Sequence, residues 1–426
     1  MDVWIHVGGG LPYPYHRLKT MCFAGDSLME LHLQFGFGMM SHTRELLEDW
    51  GGGTAILSPR DLTRDQLVKF SADVRERRGA VMLDPQCFIR EADHERLVSH
   101  DFFAEFQSHS SKAFREGPGV PAVLEKLAAL NQEMASDLHI LPSLMAQRVN
   151  EAWFAVQEAV IEGAPKYFGG KEVVATVALG AEALLDEGQI EAVVERARSW
   201  DVAGFYVVPE SPTGYLVDNP VWIANLLVLA GGLKLLKKKV IVGYSNHQML
   251  CLASAKVDAI ASGTWLNVRA FSPDKFSSPE EGAVSRRTTW FYGPVAMSEF
   301  KIPFLDIAKR MGVLDEVRPP PPLLTKYCRP LFAGATPTSV DWGEQSAFRH
   351  YLTALRTQAA DASKSTFADT VAAHRTQIEA SRAALAKLKR NGVFAQDRDF
   401  SGAADANEAA LAVFERARGP RLRREW

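Results

Sequence analysis

Cysteine is scarce in this 426-residue chain: Cys22, Cys87, Cys251 and Cys328 stand far apart, with no CxxC pair and no histidine at ligand spacing. That excludes a zinc site built from sequence neighbours and gives no disulfide framework, so a reducing, cytoplasmic setting is the expected home. An excess of one charge is also missing. The 48 Lys and Arg nearly balance 51 Asp and Glu, for a net charge of −3, so no global field draws the chain to nucleic acid or to a membrane. The longest apolar stretch, residues 221–236, falls short of the roughly 20 residues of a membrane span. It contains Asn225, Gly231 and Gly232 and runs into three lysines, and reads as a buried helix. The opening MDVWIHVGGG lacks the basic-then-apolar order of a signal peptide. No GxGxxG follows the first strand-like run, which argues against a doubly wound open sheet, the alternative architecture.

From residue 31 onward, short apolar runs alternate with stretches of helical period, the pattern of βα units around a parallel sheet. The runs are residues 31–38 (LHLQFGFG), 54–58 (TAILS), 80–84 (AVMLD), 138–143 (LHILPS), 172–180 (EVVATVALG), 204–210 (GFYVVPE), 239–245 (KVIVGYS) and 257–263 (VDAIASG). Thr63 is placed to cap the helix after the second run, with Asp65 in its first turn. Eight such units within residues 31–265 predict an α/β fold, a parallel (β/α)8 barrel of the TIM type. Beyond residue 271 the texture changes. Residues 272–295 are polar and irregular, and four prolines at 319–322 form a stiff linker or corner. Residues 342–389 and 403–418 read as helices, and the tail RARGPRLRREW is expected to fray. The chain therefore divides into a barrel with its N-terminal segment (1–271), an irregular region with a proline-rich linker (272–322) and a helical extension (323–426).

Reactive groups of such a barrel stand where strands end and loops begin. Asp84, Glu210 and His247 are the candidate catalytic groups, two carboxylates and an imidazole suited to acid–base or nucleophilic work. Arg60, Gln86, Ser245, Asn246, Asn267 and Arg269 are candidate substrate-binding groups, the arginines for an anionic portion. Plain structural roles compete with these. Asp61 and Asp84 suit helix caps, and Asn246 suits an N-cap with His247 as the first helical residue. Glu210 precedes a flexible SPTG loop with no helix behind it. The Gly243-Tyr244-Ser245 turn has the form of a phosphate cradle. A divalent metal among His32, Asp84, Glu210 and His247 would need side chains of separate strands to converge, so no metal or other cofactor is predicted.

Several strand ends resemble those of the tRNA-guanine transglycosylase-like barrels. MLDPQCF is similar to that family's Thr-Asp-Ser-Gly-Gly-Phe turn, with Asp84 at the base-contacting aspartate. GFYVVPE is similar to Gly-Gly-Leu-x-Val-Gly-Glu, with Glu210 last. VIVGYS resembles Leu-Met-Gly-Val-Gly, and VDAIASGTWLNVRAF resembles the family's eighth strand, with Arg269 near a family arginine. The resemblance covers 150–200 residues and implies base recognition. It departs where Ala261 occupies the position of the nucleophilic aspartate, where the fifth-strand glutamine has no counterpart, and where the cysteine-rich zinc site is missing. It therefore implies a divergent transferase-like enzyme or a non-catalytic partner subunit.

Arg375, Arg382 and Lys389 recur every seven residues and share one helix face. With the arginine-rich tail they offer phosphate contacts to RNA or DNA, or else form a solvated face. Ser285, Arg286 and Arg287 beside Trp290, Phe291 and Tyr292 make a second basic and aromatic cluster. Three readings result: a barrel enzyme acting on a nucleobase, nucleoside or nucleic acid; a non-catalytic barrel binding nucleic acid or a protein partner; and a lyase or aldolase acting on a small anionic substrate through Glu210 and His247. A Schiff-base mechanism needs a buried lysine. None stands at a strand C-terminus, so borohydride trapping is expected to fail.

Overall fold

The structure is a computed structural model and describes residues 28–278 and 288–426. The MDVWIHVGGG segment, Cys22 and the Ser285-Arg286-Arg287 cluster lie outside the described residues. Eight strands form one parallel sheet: β1 (Glu30–Gln34), β2 (Gly53–Leu57), β3 (Gly79–Leu83), β4 (His139–Ile140), β5 (Val173–Leu179), β6 (Gly204–Pro209), β7 (Lys239–Val242) and β8 (Ala259–Ser262). Their order is β3-β2-β1-β8-β7-β6-β5-β4. The two ends of this order meet at Asp137. Its N–H donates to the Val81 carbonyl (2.8 Å), and its carboxylate accepts from the Val81 N–H (2.7 Å). The chain is a (β/α)8 barrel of the TIM type with a C-terminal helical extension.

Local chemistry sets the helix starts. Thr63 and Gln66 form a reciprocal capping box at the head of helix Arg64–Glu76, and Asn219 with Pro220 opens helix Pro220–Lys234. That helix is the long apolar stretch noted in the sequence, and it is buried almost all round. Gly231 lies against Phe414 of helix Ser401–Ala417, and Gly232 against Val194, where an added Cβ would meet those side chains at 2.9 and 2.7 Å. The extension thus covers the outer face of a barrel helix, which is why that face is apolar.

Among the described residues no α-helix follows β8 directly, only the short 3₁₀ turns Leu266–Val268 and Pro273–Phe276. Helix Glu344–Ala362 packs against β1, helix Met39–Trp50 and the 3₁₀ segment His247–Ala255, and so takes the place of the eighth barrel helix. Between them lies an antiparallel hairpin, β9 (Trp290–Gly293) and β10 (Ser298–Lys301), in a region that reads as irregular from sequence. The proline tract is a corner: the Pro320 carbonyl accepts from the N–H groups of Leu323 and Leu324. The tail departs from expectation. Residues Gly419–Glu425 are helical, Leu422 is buried, Trp426 Nε1 donates to the Lys364 carbonyl (3.0 Å), and Arg418 pairs with Glu191. Apolar contact and these polar bonds outweigh the repulsion among its arginines. No helix among the described residues is long and apolar enough to cross a membrane.

Candidate active site at the barrel mouth

Strand alternation turns Gln34 of β1 and Tyr206 of β6 into the barrel interior, and the chain leaving β3 sets Asp84 above them. Asp84 is fully buried. Its Oδ2 lies 2.6 Å from the Tyr244 hydroxyl, 3.1 Å from the Tyr206 hydroxyl and 3.5 Å from Gln34 Nε2, and its Oδ1 accepts from the Gln86 N–H (3.0 Å). The Tyr206 hydroxyl also lies 3.0 Å from Gln34 Oε1. A phenol has one proton to give, so a protonated Asp84 satisfies both neighbours by donating to Tyr206 while Tyr206 donates to Gln34. Burial acts in the same direction and raises the Asp84 carboxyl above its ordinary value.

Gln86 locks the rim. Its Oε1 accepts from Ser58 Oγ (3.1 Å) and from the Arg60 N–H (3.0 Å), and its Nε2 donates to the Tyr244 hydroxyl (3.2 Å). Gln86 and Tyr244 both adopt left-handed backbone conformations, with φ of 55° and 52°. Such backbone costs on the order of 1 kcal/mol or more per residue and persists where surroundings over-determine it. Here the two strained residues are bonded to each other and to one buried acid, which makes this network the candidate site. Gly243 serves the same network. An added Cβ would stand 2.5 Å from the Tyr206 hydroxyl, so its bareness makes room for that phenol. The Gly243–Ser245 turn is no phosphate cradle: Ser245 Oγ donates back to the Val242 carbonyl (3.0 Å) and its N–H to Ala261 O (2.7 Å).

A lysine completes the mouth. Lys275 sits in the 3₁₀ turn Pro273–Phe276 beyond β8, its Nζ 3.5 Å from the centre of the Tyr244 ring and 3.2 Å from the Asn267 carbonyl. Among the described residues no carboxylate lies within 4.0 Å of it. Phe271 and Phe276 flank it, packing edge-on against Phe88. Burial in these aromatic surroundings pushes the Lys275 amine well below its ordinary value, with the more distant Asp84 opposing.

The sequence candidates divide into separate groups. Asp84, Gln86 and Arg60 meet at the mouth, Arg60 holding the Lys275 carbonyl through Nε, and Asn267 joins them through its carbonyl. Glu210 directly follows β6 at the same rim, its backbone paired with Phe271, but among the described residues its carboxylate is not bonded to Asp84, Gln86 or Lys275: it accepts from the Ala181 N–H (2.9 Å) and lies 3.5 Å from Gln147 Nε2. It caps the short helix after β5 and is spent on backbone, unlike the free acid expected at a strand end. His247 lies among the rings of Tyr215, Tyr292, Tyr351 and Phe400, where burial pushes it down to about 4. It is a neutral core histidine beneath the extension. Asn246 is the N-cap, accepting from the Gln248 N–H (2.8 Å) and donating to the carbonyls of Tyr215 and Arg269. Arg269 is buried against Glu299 and Tyr351, away from Asp84.

The basic face of the extension is already engaged. Arg375 pairs with Glu415, Arg382 with Asp405 and Glu408, and Lys389 with Asp399, so the stripe joins two helices of this chain. Among the described residues no three His, Cys, Asp or Glu side chains converge to hold a metal. Sequence reasoning missed Tyr206, Tyr244, Gln34 and Lys275. Gln34, a carboxamide inside an apolar strand, was a usable signal; Lys275, delivered by a loop, left none.

No family profile and no curated protein sequence matches the chain. Similar solved structures include native xylanase 10C from Cellvibrio japonicus, at 10% identity and a TM-score of 0.36, covering 57% of this chain and 64% of that one. A mutant of the same xylanase in complex with xylopentaose matches at 10% identity and a TM-score of 0.35, covering 57% of this chain and 61% of that one. The chain thus spans less than two thirds of either relative, and likeness of this degree carries no inference about chemistry.

Proposed function

We propose that this chain is a barrel enzyme of the lyase or aldolase type, in which Lys275 forms a Schiff base with a small carbonyl substrate. One observation carries the reading: a half-buried amine rests on the face of Tyr244 with no carboxylate of the described residues within 4.0 Å, and that phenol is bonded to a buried acid. An amine is nucleophilic only when neutral, and desolvation favours the neutral form. Its lone pair forms a C–N bond as the carbonyl π pair moves to oxygen, and the oxygen takes two protons, one from the new ammonium nitrogen and one from Asp84 by way of Tyr244. It leaves as water and gives an iminium, which takes up the electron pair of the adjacent C–C bond as an enamine while the other fragment departs as a carbonyl compound, and the enamine carbon then takes a proton. Hydrolysis returns the free amine. Protonated Asp84, reached through Tyr244, is the proton reserve.

A second reading, action on a nucleobase as in transglycosylase-like barrels, is favoured by the carboxamides of Gln34 and Gln86 beside Asp84 and by the aromatic edges, a combination suited to a flat hydrogen-bonding ring. It requires no covalent bond to Lys275, and trapping separates the two. With a panel of small aldehydes and ketones plus cyanoborohydride near pH 7, intact mass and peptide mapping should find one dominant adduct on Lys275. Lys275→Met should abolish that adduct and Asp84→Asn should slow its formation. Labelling of Lys275 no faster than of surface lysines would sink the Schiff-base reading. Saturable nucleobase binding lost in Asp84→Asn would then favour the second.

A further inference from the structure

A polar cavity lies between the barrel and the extension. Its walls include Thr264 beyond β8, Arg269, Trp290 of β9, Glu299 of β10, Tyr351 and Arg398, and it encloses about 40 Å³. Two guanidinium groups share one buried carboxylate there: Arg398 Nη1 lies 2.6 Å from Glu299 Oε2 and Arg269 Nη1 3.5 Å from Oε1. Arg269 is fixed by a bond from Nε to the Gly263 carbonyl (2.8 Å) and by stacking 3.5 Å above the Tyr351 ring. Arg398 lies 4.2 Å above the Trp290 ring. These contacts hold both cations in place and leave donor capacity unused. Among the described residues Arg398 Nε has no partner, and neither does the hydroxyl of Thr264, a residue only 2% exposed.

Buried polar groups are normally paired, and a pair of arginines facing one acid carries an uncompensated positive charge. Glu344 also lines the cavity, but makes no ion pair with either arginine among the described residues. It sets a limit on how much negative charge an occupant can bring. What is missing is a compact acceptor that can reach two guanidinium groups and a hydroxyl together, which planar arginines favour for oxyanions.

We propose that this cavity binds a small oxyanion, a carboxylate or a phosphoryl group, bridged between Arg269 and Arg398 and completed by the Thr264 hydroxyl. The site uses none of the residues of the Asp84–Lys275 network, so its fate is separate from that of the catalytic reading. The extension contributes Arg398 and Tyr351, which gives a region outside the barrel a part in ligand recognition.

Thr264→Val is the informative variant. The hydroxyl has no partner among the described residues, so its loss should leave the unliganded unfolding temperature unchanged or slightly higher. Titrations with inorganic phosphate and with acetate, at constant ionic strength against chloride, are followed by calorimetry and by thermal unfolding of the full chain. At least one of the two should bind saturably and raise the unfolding temperature. Thr264→Val should weaken that binding on the order of tenfold, as expected for loss of a hydrogen bond to a charged group, and Arg398→Gln by more. Whichever anion binds names the group. The proposal is overturned if neither anion binds beyond the chloride control, or if both variants bind as the parent does.

Discussion

A methyl group at position 243 would stand 2.5 Å from the Tyr206 hydroxyl and 2.7 Å from its ring carbon, with no flexible side chain to yield. Gly243→Ala should therefore cost about 1–3 kcal/mol by overpacking and push Tyr206 away from Asp84, as urea unfolding would measure. A cost near zero would mean that the phenol is not held where it stands. Tyr244→Phe acts on the other side of the acid. It removes the 2.6 Å bond to Asp84 and leaves Gln86 Nε2 without its acceptor, for an expected loss of about 1–3 kcal/mol. The variant keeps the aromatic face under Lys275, so the rate of carbonyl adduct formation should fall only to the extent that Asp84 supplies the proton. Asp84 and Gln86 were legible in the sequence because polar residues interrupt an apolar run at a strand end. Glu210 and His247 met the same criterion and proved to be a cap and a core ring. Position along a strand locates the mouth, whereas partners across the barrel decide which side chains work together.

Elements were legible in proportion to their periodicity. The eight strands were found from apolar runs, and the helices at Arg64–Glu76 and Pro220–Lys234 from their caps and apolar surface. The β9–β10 hairpin was not, because four-residue strands such as WFYG and SEFK show no alternation long enough to read. The replacement of the eighth barrel helix by Glu344–Ala362 was likewise hidden, since that pairing spans some eighty residues of chain. The tail gives an element-scale test. A frayed tail would tolerate any substitution, but Leu422 is only 2% exposed in helix Gly419–Glu425. Leu422→Ala should cost about 2 kcal/mol, the low end for a buried leucine because a terminal helix can relax. Equilibrium unfolding in urea measures this, and a change below roughly 0.5 kcal/mol, typical of surface positions, would return the tail to the disordered state read from its composition.

At the scale of the whole molecule, five histidines are buried at separate junctions: His42, His139, His247, His350 and His374, each pushed down to about 4 chiefly by burial. His350 shows how a neutral ring is built in. Its Nε2 donates to the Tyr292 carbonyl (2.8 Å) while its Nδ1 accepts from Thr325 Oγ1 (3.0 Å). These groups titrate lower when folded than when unfolded, so the unfolded chain binds their protons first. The stability they confer is complete above pH 6.5 and is lost as pH falls from there toward 4. Each contributes a slope of up to about 1.4 kcal/mol per pH unit. Asp84 has the opposite sign: its raised value makes its contribution fullest at low pH and smaller as pH rises, but it is one group against five. Carboxylates lowered by ion pairing, Glu299 among them, act mainly below about pH 4.5, so between 6.5 and 4.5 the imidazoles set most of the slope, with Asp84 opposing and the lowered Lys275 amine acting in the same sense as the imidazoles. A domain holds only about 5–15 kcal/mol in total, and several protons taken up together suffice to unfold it. Unfolding free energies at pH 7.5, 6.5, 5.5 and 4.5 should fall progressively, with a slope near pH 5 equivalent to several protons. His374→Leu should reduce that slope by about one proton. A flat profile across this interval would show that the buried rings share their burial with water or with the unfolded state, and that the packing around them is looser than the structure indicates.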